Sequence, residues 1–495
     1  MNPSPRPLLA PLHRGLAAAA LIAAAAAGNH AAPSATGSTR ASRDRPNVLI
    51  LFTDDQRFDT IGALGNREIS TPNMDRLVER GVSFQNTYIM GSPHGAVCMP
   101  SRAMLLTGRH YFNLPLSVTV TWSVPSDERG RCDFTTFPEV FRAAGYETFV
   151  TGKWHNGRSL LARGFTAGDA IFFGGMSDHL AVPVHDFDPT GRYDAKPTKP
   201  DTFSSELFST AAVDFLHERQ DEQPFLMYVS YTAPHDPRMA PQEYVDLYQA
   251  EETLLPPNYL DEHPFPQADH HVRDEKLAPF PRTPTIAREH IAAYYAMISH
   301  TDAQIGRILD ALEETGAAEN TIIVFAGDNG LAVGQHGLLG KQSLNDHSAR
   351  VPLVICGPGL PKGEVRTGLT YLHDVFPTLT ALAGLETPDT VQTQSLVPML
   401  QAAEAAVRDS VLLSYSKAHS NCTRYSRAVR CGDLKLIEWQ YDDVTTTQLF
   451  DLADDPWEMR NLADDASHAD ARAELEALLS NWRRRVGDFL LKEEP

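Results

Sequence analysis

Four apolar runs of strand length, widely spaced in a 495-residue chain, each give way within a few residues to charged or polar side chains. Residues 47–52 (NVLILF) lead to Asp54 and Asp55, and residues 148–151 to Lys153 and His155. Residues 225–231 lead to His235, and residues 321–326 (TIIVFA) to Asp328 and Asn329. Apolarity that is continuous rather than alternating suits parallel strands buried on both faces. In open α/β sheets, ligands bind just beyond the carboxyl ends of such strands. Spacing alone therefore predicts that the four runs deliver these side chains to one crevice.

Between the runs lie helical patterns. Ile291, Tyr294, Tyr295, Ile298, Ile305, Ile308, Leu309 and Leu312 share one face of a long amphipathic helix, with Gly316 as its cap. Asp302 falls on that apolar stripe and reads as a structural acid satisfied by hydrogen bonds. Residues 371–384 read as a further helix, and the proline- and charge-rich stretch 261–285 as a surface loop. Past about residue 400 the pattern shortens to runs at 410–415, 426–429, 434–439 and 448–452, closed by a helix over 471–490. The expected fold is α/β: a large mixed, mostly parallel central sheet flanked by helices over residues 46–400, then a small C-terminal antiparallel sheet subdomain over 401–495.

Forty-three Lys and Arg against 63 Asp and Glu give a net charge of −20, which argues against nucleic acid or an anionic membrane surface as a partner. An anionic small molecule would need a locally basic pocket. Residues 1–32 read as a signal peptide, with Arg6 and Arg14 ahead of an apolar run at 16–27 and cleavage near 27–32. That run is too short to span a bilayer, and no cysteine near it could carry a lipid. A soluble exported protein, periplasmic or secreted, is expected, with residues 33–45 a disordered lead-in. Of the five cysteines, Cys356 reads as a buried thiol, and Cys422 with Cys431 form the one local pair that could close a loop in an oxidising compartment.

The stretch 92–110 (SPHGAVCMPSRAMLLTGRH) carries the most specific chemistry. Pro100 suits a first helical turn and Gly108 an end, so Cys98 falls at a helix N-terminus, where unpaired N–H groups and the dipole favour an anion. Arg102 lies one turn on, along the same face. The C-x-P-S-R of residues 98–102 followed by the T-G-R of 107–109 resembles the signature of the sulfatase family. GKWH around Lys153 and His155, APHDP around His235, GQHGLLGK ending at Lys341, and the later RVPLVICGPG and LFDLADDPWEMRNLADD extend the likeness over residues 46–465.

The resemblance implies an alkaline-phosphatase-like fold and hydrolysis of a sulfate ester. Cys98 would be oxidised by a maturation enzyme to formylglycine, an aldehyde whose hydrate supplies the nucleophilic oxygen. Arg102 and Lys153 would neutralise and position the hydrate and the sulfate. His155 would hydrogen-bond the hydrate and help break down the sulfated intermediate. His235 and Lys341 would bind the sulfate, with one of them, or His336, serving as acid to the leaving oxygen. Asp54, Asp55, Asp328 and Asn329 are hard oxygen donors, which with the converted Cys98 fit calcium or magnesium rather than a transition metal. Three carboxylates without a cation would repel one another, so loss of the metal is expected to cost stability as well as activity.

For the rest of the substrate, the irregular stretch 171–193 is expected to reach over the crevice, with His94, His179 and His185 reading the hydroxyls of a sulfated sugar. A phosphonate or phosphate ester hydrolase on the same fold, and a secreted calcium-dependent binding protein with Cys98 unconverted, remain alternatives. The sequence leaves the oligomeric state open.

Overall fold

A computed structural model describes residues 45–193, 196–219, 223–264, 272–417 and 423–491. The expected signal peptide and nearly all of the lead-in lie outside these residues, as do Cys422, His270 and His271.

The main sheet runs in the order Glu364–Tyr371, Gly81–Tyr88, Leu353–Cys356, Thr321–Gly327, Asn47–Thr53, Phe225–Ser230, Glu147–Lys153 and Ala167–Phe172, and the short Arg350–Val351 also pairs with Gly81–Tyr88. All neighbours are parallel except where Leu353–Cys356 and Arg350–Val351 pair. The four runs singled out in the sequence are four adjacent central strands. Along Asn47–Thr53, Val48, Ile50 and Phe52 enter one core, which contains the helix Cys98–Thr107, while Leu49 and Leu51 enter the other. Burial on both faces is why the run shows no polar alternation.

The second core is covered by the 31-residue helix Pro284–Glu314, whose Ile291, Tyr294, Ile298, Ile305 and Ile308 are fully buried. Asp302 on this helix accepts from the backbone N–H groups of Asn73 and Met74 at 3.1 and 2.7 Å and from the Asn73 amide at 3.0 Å. It satisfies the free donors in the first turn of the helix Pro72–Arg80, which is why an acid sits on an apolar stripe.

The second sheet has the order Val444–Asp451, Leu434–Tyr441, Arg424–Cys431, Ser410–Ser416, Gly91–Ser92 and is antiparallel except for the last pair. One face joins the main core through Val411, Leu413, Ile437 and Trp439. The other packs Leu412, Val429, Leu436 and Leu449 against Leu475 and Leu479 of the helix Ala469–Val486. Gly91–Ser92 ties the second sheet to the segment leading into the Cys98 helix. Gly91 has φ 104°, and a Cβ there would lie 1.9 Å from the Ser414 carbonyl oxygen, so no other residue fits.

Several expectations change. The helix begins later than expected: Tyr371 ends the strand Glu364–Tyr371, Leu372–Asp374 form a 3-10 turn, and the α-helix is Val375–Leu382. The C-terminal helix stops at Val486 because Gly487 turns left-handed at φ 70°. The pairing of Cys422 with Cys431 falls outside the described residues, which hold Cys431 alone of the two, as a thiol. The stretch 261–285 is not all surface, since buried Glu275 pairs with buried Arg282 at 2.8 Å. Among the described residues no helix is long and apolar enough to cross a membrane.

Candidate active site

Register brings the strand ends level. Phe52 pairs with both Ser230 and Ala326, and Gly152 with Ser230, so residues 53–55, 153–155, 231–235 and 327–329 all emerge at one edge. Asp55 and His155 both adopt left-handed φ, 65° and 61°, in the turns that end their strands. Non-glycine residues held in this conformation concentrate at functional sites. The helix Cys98–Thr107 points its N-terminus at the same edge, with no side chain capping its first turn. Gly108 closes it at φ 62°, its N–H donating to the Met104 carbonyl at 2.8 Å.

Asp54, Asp55, Cys98 and Asp328 are all buried, and each places a donor atom within 4.8 Å of the others. Asp328 Oδ2 accepts from Arg102 Nε at 2.9 Å, and its Oδ1 from the Asp55 backbone N–H at 3.0 Å. Arg102 Nη1 donates to Ser230 Oγ at 2.5 Å and the Lys153 carbonyl at 3.1 Å, which locks the guanidinium plane. The Lys153 ammonium pairs with Asp54. Lys341 Nζ donates to Asp55 Oδ1 at 2.6 Å and lies 3.1 Å from Cys98 Sγ. Asn329 Nδ2 donates to Asp55 Oδ1 at 2.7 Å, and His235 Nε2 lies 3.6 Å from Asp55 Oδ2.

The electrostatics follow from burial and this pairing. Burial, with Asp54 adding to it, pushes the Asp328 carboxyl up to about 7. Burial would raise Asp55 too, but Lys341, His235 and Lys153 overcome it and hold Asp55 well below the usual carboxylate range. Burial, then Asp328 and Asp54, drive the Cys98 thiol well above its ordinary value. Burial and the neighbouring Lys153, Arg102 and Lys341 keep His155 neutral, and burial with Lys341 also lowers His235. A buried thiol held neutral beside three carboxylates is a poor thiolate nucleophile.

At this floor some buried acceptors and donors lack a hydrogen-bond partner among the described residues. Asp54 Oδ1 and Asn329 Oδ1 are acceptors that take no hydrogen bond and Arg102 Nη2 is a donor that makes none, the Asp54 oxygen and the Arg102 nitrogen facing each other at 3.9 Å, too far for one. Buried polar groups are normally satisfied. Hard oxygen acceptors that take no hydrogen bond beside clustered carboxylates fit a calcium or magnesium ion, and a guanidinium donor that makes none fits an anionic oxygen. The expected repulsion among the three carboxylates is offset here by Arg102, Lys153 and Lys341, so the cluster is compensated without a cation.

Above this floor opens a cavity of about 290 Å³ lined by Cys98, His155, His235, Lys341 and Gln342, by Gly95 and Ala96, by Gly175 and Met176, and by Val272, Arg273 and Asp274. The three histidines expected to read the sugar, and His336 expected as a possible acid, are placed elsewhere. His94 is buried, with Nε2 against the Thr119 carbonyl at 2.5 Å and Nδ1 accepting from the Ala96 N–H at 3.1 Å. His179 is buried between Ser204 Oγ, 3.0 Å away, and the His235 carbonyl at 2.8 Å, so it supports the His235 turn without reaching the cavity. His185 packs tilted against Phe173 and edge-on to Tyr193 and lines a separate surface hollow. His336 is buried 3.1 Å from the Glu458 carbonyl. Of the stretch 171–193, Gly175 and Met176 reach the cavity, and Gly175 lies against the His155 ring. Arg273 and Asp274 were not singled out in the sequence.

A parallel-centred sheet with carboxylates, cations and a helix N-terminus gathered at its carboxyl edge defines a hydrolase of the alkaline-phosphatase-like fold. A family model described as Sulfatase matches residues 46–385, and one described as N-sulphoglucosamine sulphohydrolase, C-terminal, matches residues 334–485. The chain belongs to the sulfatase family and is a sulfuric ester hydrolase. An N-acetylglucosamine-6-O-sulfatase of Bacteroides thetaiotaomicron is 26% identical, the match covering 90% of this chain and 87% of that protein. A solved structure of a protein in complex with its substrate D-glucosamine-2-N,6-O-disulfate superposes with TM-score 0.74 at 25% identity, covering 91% of this chain and all of that one. The phosphonate monoester hydrolase of Agrobacterium radiobacter shares the fold, with TM-score 0.69 at 22% identity over 89% of this chain and 96% of that one.

Proposed function

We propose that the chain hydrolyses the sulfate ester of a saccharide, using a formylglycine made from Cys98 by a maturation enzyme, with calcium, or magnesium in its place, in the acidic cluster. The observation that carries this reading is the cavity floor, where Cys98 at a helix N-terminus meets three carboxylates and three buried cations. Asp54, Asp55, Asp328, Asn329 and the converted Cys98 would hold the cation, which supplies fixed positive charge, while the aldehyde hydrate supplies the attacking oxygen.

The chain's own side chains do the remaining work. Arg102, locked by Asp328, Ser230 and the Lys153 carbonyl, keeps an Nη2 donor that makes no hydrogen bond, 3.9 Å from Asp54 Oδ1, for incoming negative charge. Lys153 balances Asp54. Lys341, 3.1 Å from Cys98 Sγ, stands where it can hold a sulfate oxygen. The Cys98 sulfur occupies the position from which an oxygen of the hydrate would act. His155 lines the cavity beside it and is the group placed to take or return the hydrate proton. His235, its Nδ1 2.8 Å from the Asp236 carbonyl, and Lys341 are the two candidates for protonating the leaving oxygen. His336 is not, because it does not line the cavity and its Nε2 faces the Glu458 carbonyl. The leader-like residues 1–32 support an activity outside the cytoplasm, in the periplasm or the medium.

The shared fold of the phosphonate hydrolase makes that ester the second reading. Rates on matched aryl sulfate, phosphate and phosphonate esters, with calcium and after chelation, test both. Sulfate is expected to be the preferred ester, and a preference for phosphonate would overturn the assignment. Chelation is expected to abolish turnover and lower the unfolding temperature, because a ligand present at 100 times its Kd contributes about 2.7 kcal/mol. The chelated protein should stay folded, since the three cations already offset the carboxylates. Activity and melting both indifferent to chelation would contradict the metal site.

A further inference from the structure

We propose that Arg273, clamped between Asp236 and Asp274 at the cavity wall, is the residue that selects the sugar, and that it reads uncharged hydroxyls next to the scissile sulfate rather than a second anionic group. This rests on the saccharide reading above. Arg273 lines the cavity together with Asp274, and its side chain is 44% exposed. Its guanidinium is bidentate on buried Asp236, with Nη1 to Oδ2 at 2.5 Å and Nη2 to Oδ1 at 2.7 Å, and Nη2 also pairs with buried Asp274. Asp274 is fixed in turn by the Gln342 amide at 2.6 Å, and that amide also donates to the Gly95 carbonyl at 2.8 Å. Gln342 and Gly95 line the same cavity, so the wall is braced on both sides. Among the described residues, Arg273 Nε makes no hydrogen bond to the protein.

Charge decides what such a wall prefers. One guanidinium between two carboxylates carries a net charge of −1, so it does not attract a second sulfate or a carboxylate. It offers directed donors beside carboxylate acceptors, which is what neighbouring hydroxyls, each both donor and acceptor, can satisfy. A cavity of about 290 Å³ lies at the small end of ligand pockets and suits one sugar ring with its sulfate. Because Asp236 adjoins His235, Arg273 could instead act on catalysis through that histidine, and the test must separate the two.

The measurement is kcat and KM for Arg273→Ala and the parent on three substrates: 4-nitrophenyl sulfate, a monosulfated hexose, and the same hexose with a second sulfate on the adjacent hydroxyl. The parent is expected to favour the monosulfated sugar over the disulfated one. In Arg273→Ala the ratio of kcat/KM for the monosulfated sugar to that for the aryl sulfate is expected to fall about 10- to 100-fold, mostly through KM, as for a lost charged hydrogen bond. An unchanged ratio, whether both activities fall together through kcat or neither falls, would overturn the proposal. So would a parent preference for the disulfated sugar that the substitution removes, since that would make Arg273 an anion site. A parent enzyme inert on all three sulfates would instead overturn the proposed function and is recognised before any variant is made.

Discussion

Cys98→Ala is expected to reduce sulfate ester turnover on the order of 10⁴-fold or more, while the protein remains folded. The loss is large because no other group at the cavity floor offers a nucleophile. Asp54, Asp55 and Asp328 are engaged by Lys153, Lys341 and Arg102, and His155 is held neutral by burial and the surrounding cations. The fold survives because the helix does not depend on the thiol. Pro100 stands in its first turn, Ser101 Oγ donates to the Asp328 carbonyl at 2.5 Å, and Gly108 closes the other end. Sγ contacts Lys341 at 3.1 Å and Asp55 at 3.5 Å, so its removal frees polar groups that the cluster re-pairs. Ordinary activity in this variant, measured on an aryl sulfate, would remove Cys98 from the chemistry.

Lys435→Met is expected to destabilise the protein by about 3–5 kcal/mol, the usual cost of leaving a buried charge uncompensated. Lys435 lies fully buried on the strand Leu434–Tyr441, 2.8 Å from Asp346 and 2.7 Å from Glu458. Tyr88 on the main sheet donates to the same Asp346 at 3.0 Å, and Glu458 accepts from the Asp346 backbone N–H at 2.8 Å. Asp346 also has Arg350 at 3.5 Å and Arg430 at 3.8 Å, so it is chiefly Glu458 that the substitution leaves buried without a counter-ion, where the second sheet meets the first. Burial opposes the charge of Lys435, but Asp346 and Glu458 more than reverse that and raise its pKa, so it stays cationic throughout the neutral range. Urea unfolding of the two proteins measures the difference. A change below about 1 kcal/mol, the size of a surface pair, would show that the cluster does not hold the two sheets together.

Legibility in the sequence tracked the kind of physics involved. The four central strands could be read because burial on both faces leaves an unbroken apolar run in 47–52 and 321–326. Gly91–Ser92 could not, because two small residues carry no periodicity and become a strand only by pairing with Ser414 and Tyr415. Sheet order was equally hidden, since it depends on where the crossovers run. The acids and bases at the strand ends were legible from position along their own strands. His94, His179, His185 and His336 were not, because the partners that occupy their rings are Thr119, Ser204, Tyr193 and Glu458, the last 122 residues away. Arg273 lies in a proline- and charge-rich stretch with no local pattern, and only its ion pair with Asp236, 37 residues away, gives it a place in the cavity.

The most direct test of the central claim is the mass of the peptide spanning Cys98, taken from the same purified sample whose turnover on an aryl sulfate is measured. Conversion to formylglycine removes the sulfur and two hydrogens and adds one oxygen, a change the peptide mass resolves. Across preparations matured to different extents, turnover per mole of protein is expected to rise in proportion to the converted fraction and to extrapolate to zero when every Cys98 is still a thiol. Full turnover from protein whose Cys98 is entirely unmodified would contradict the account.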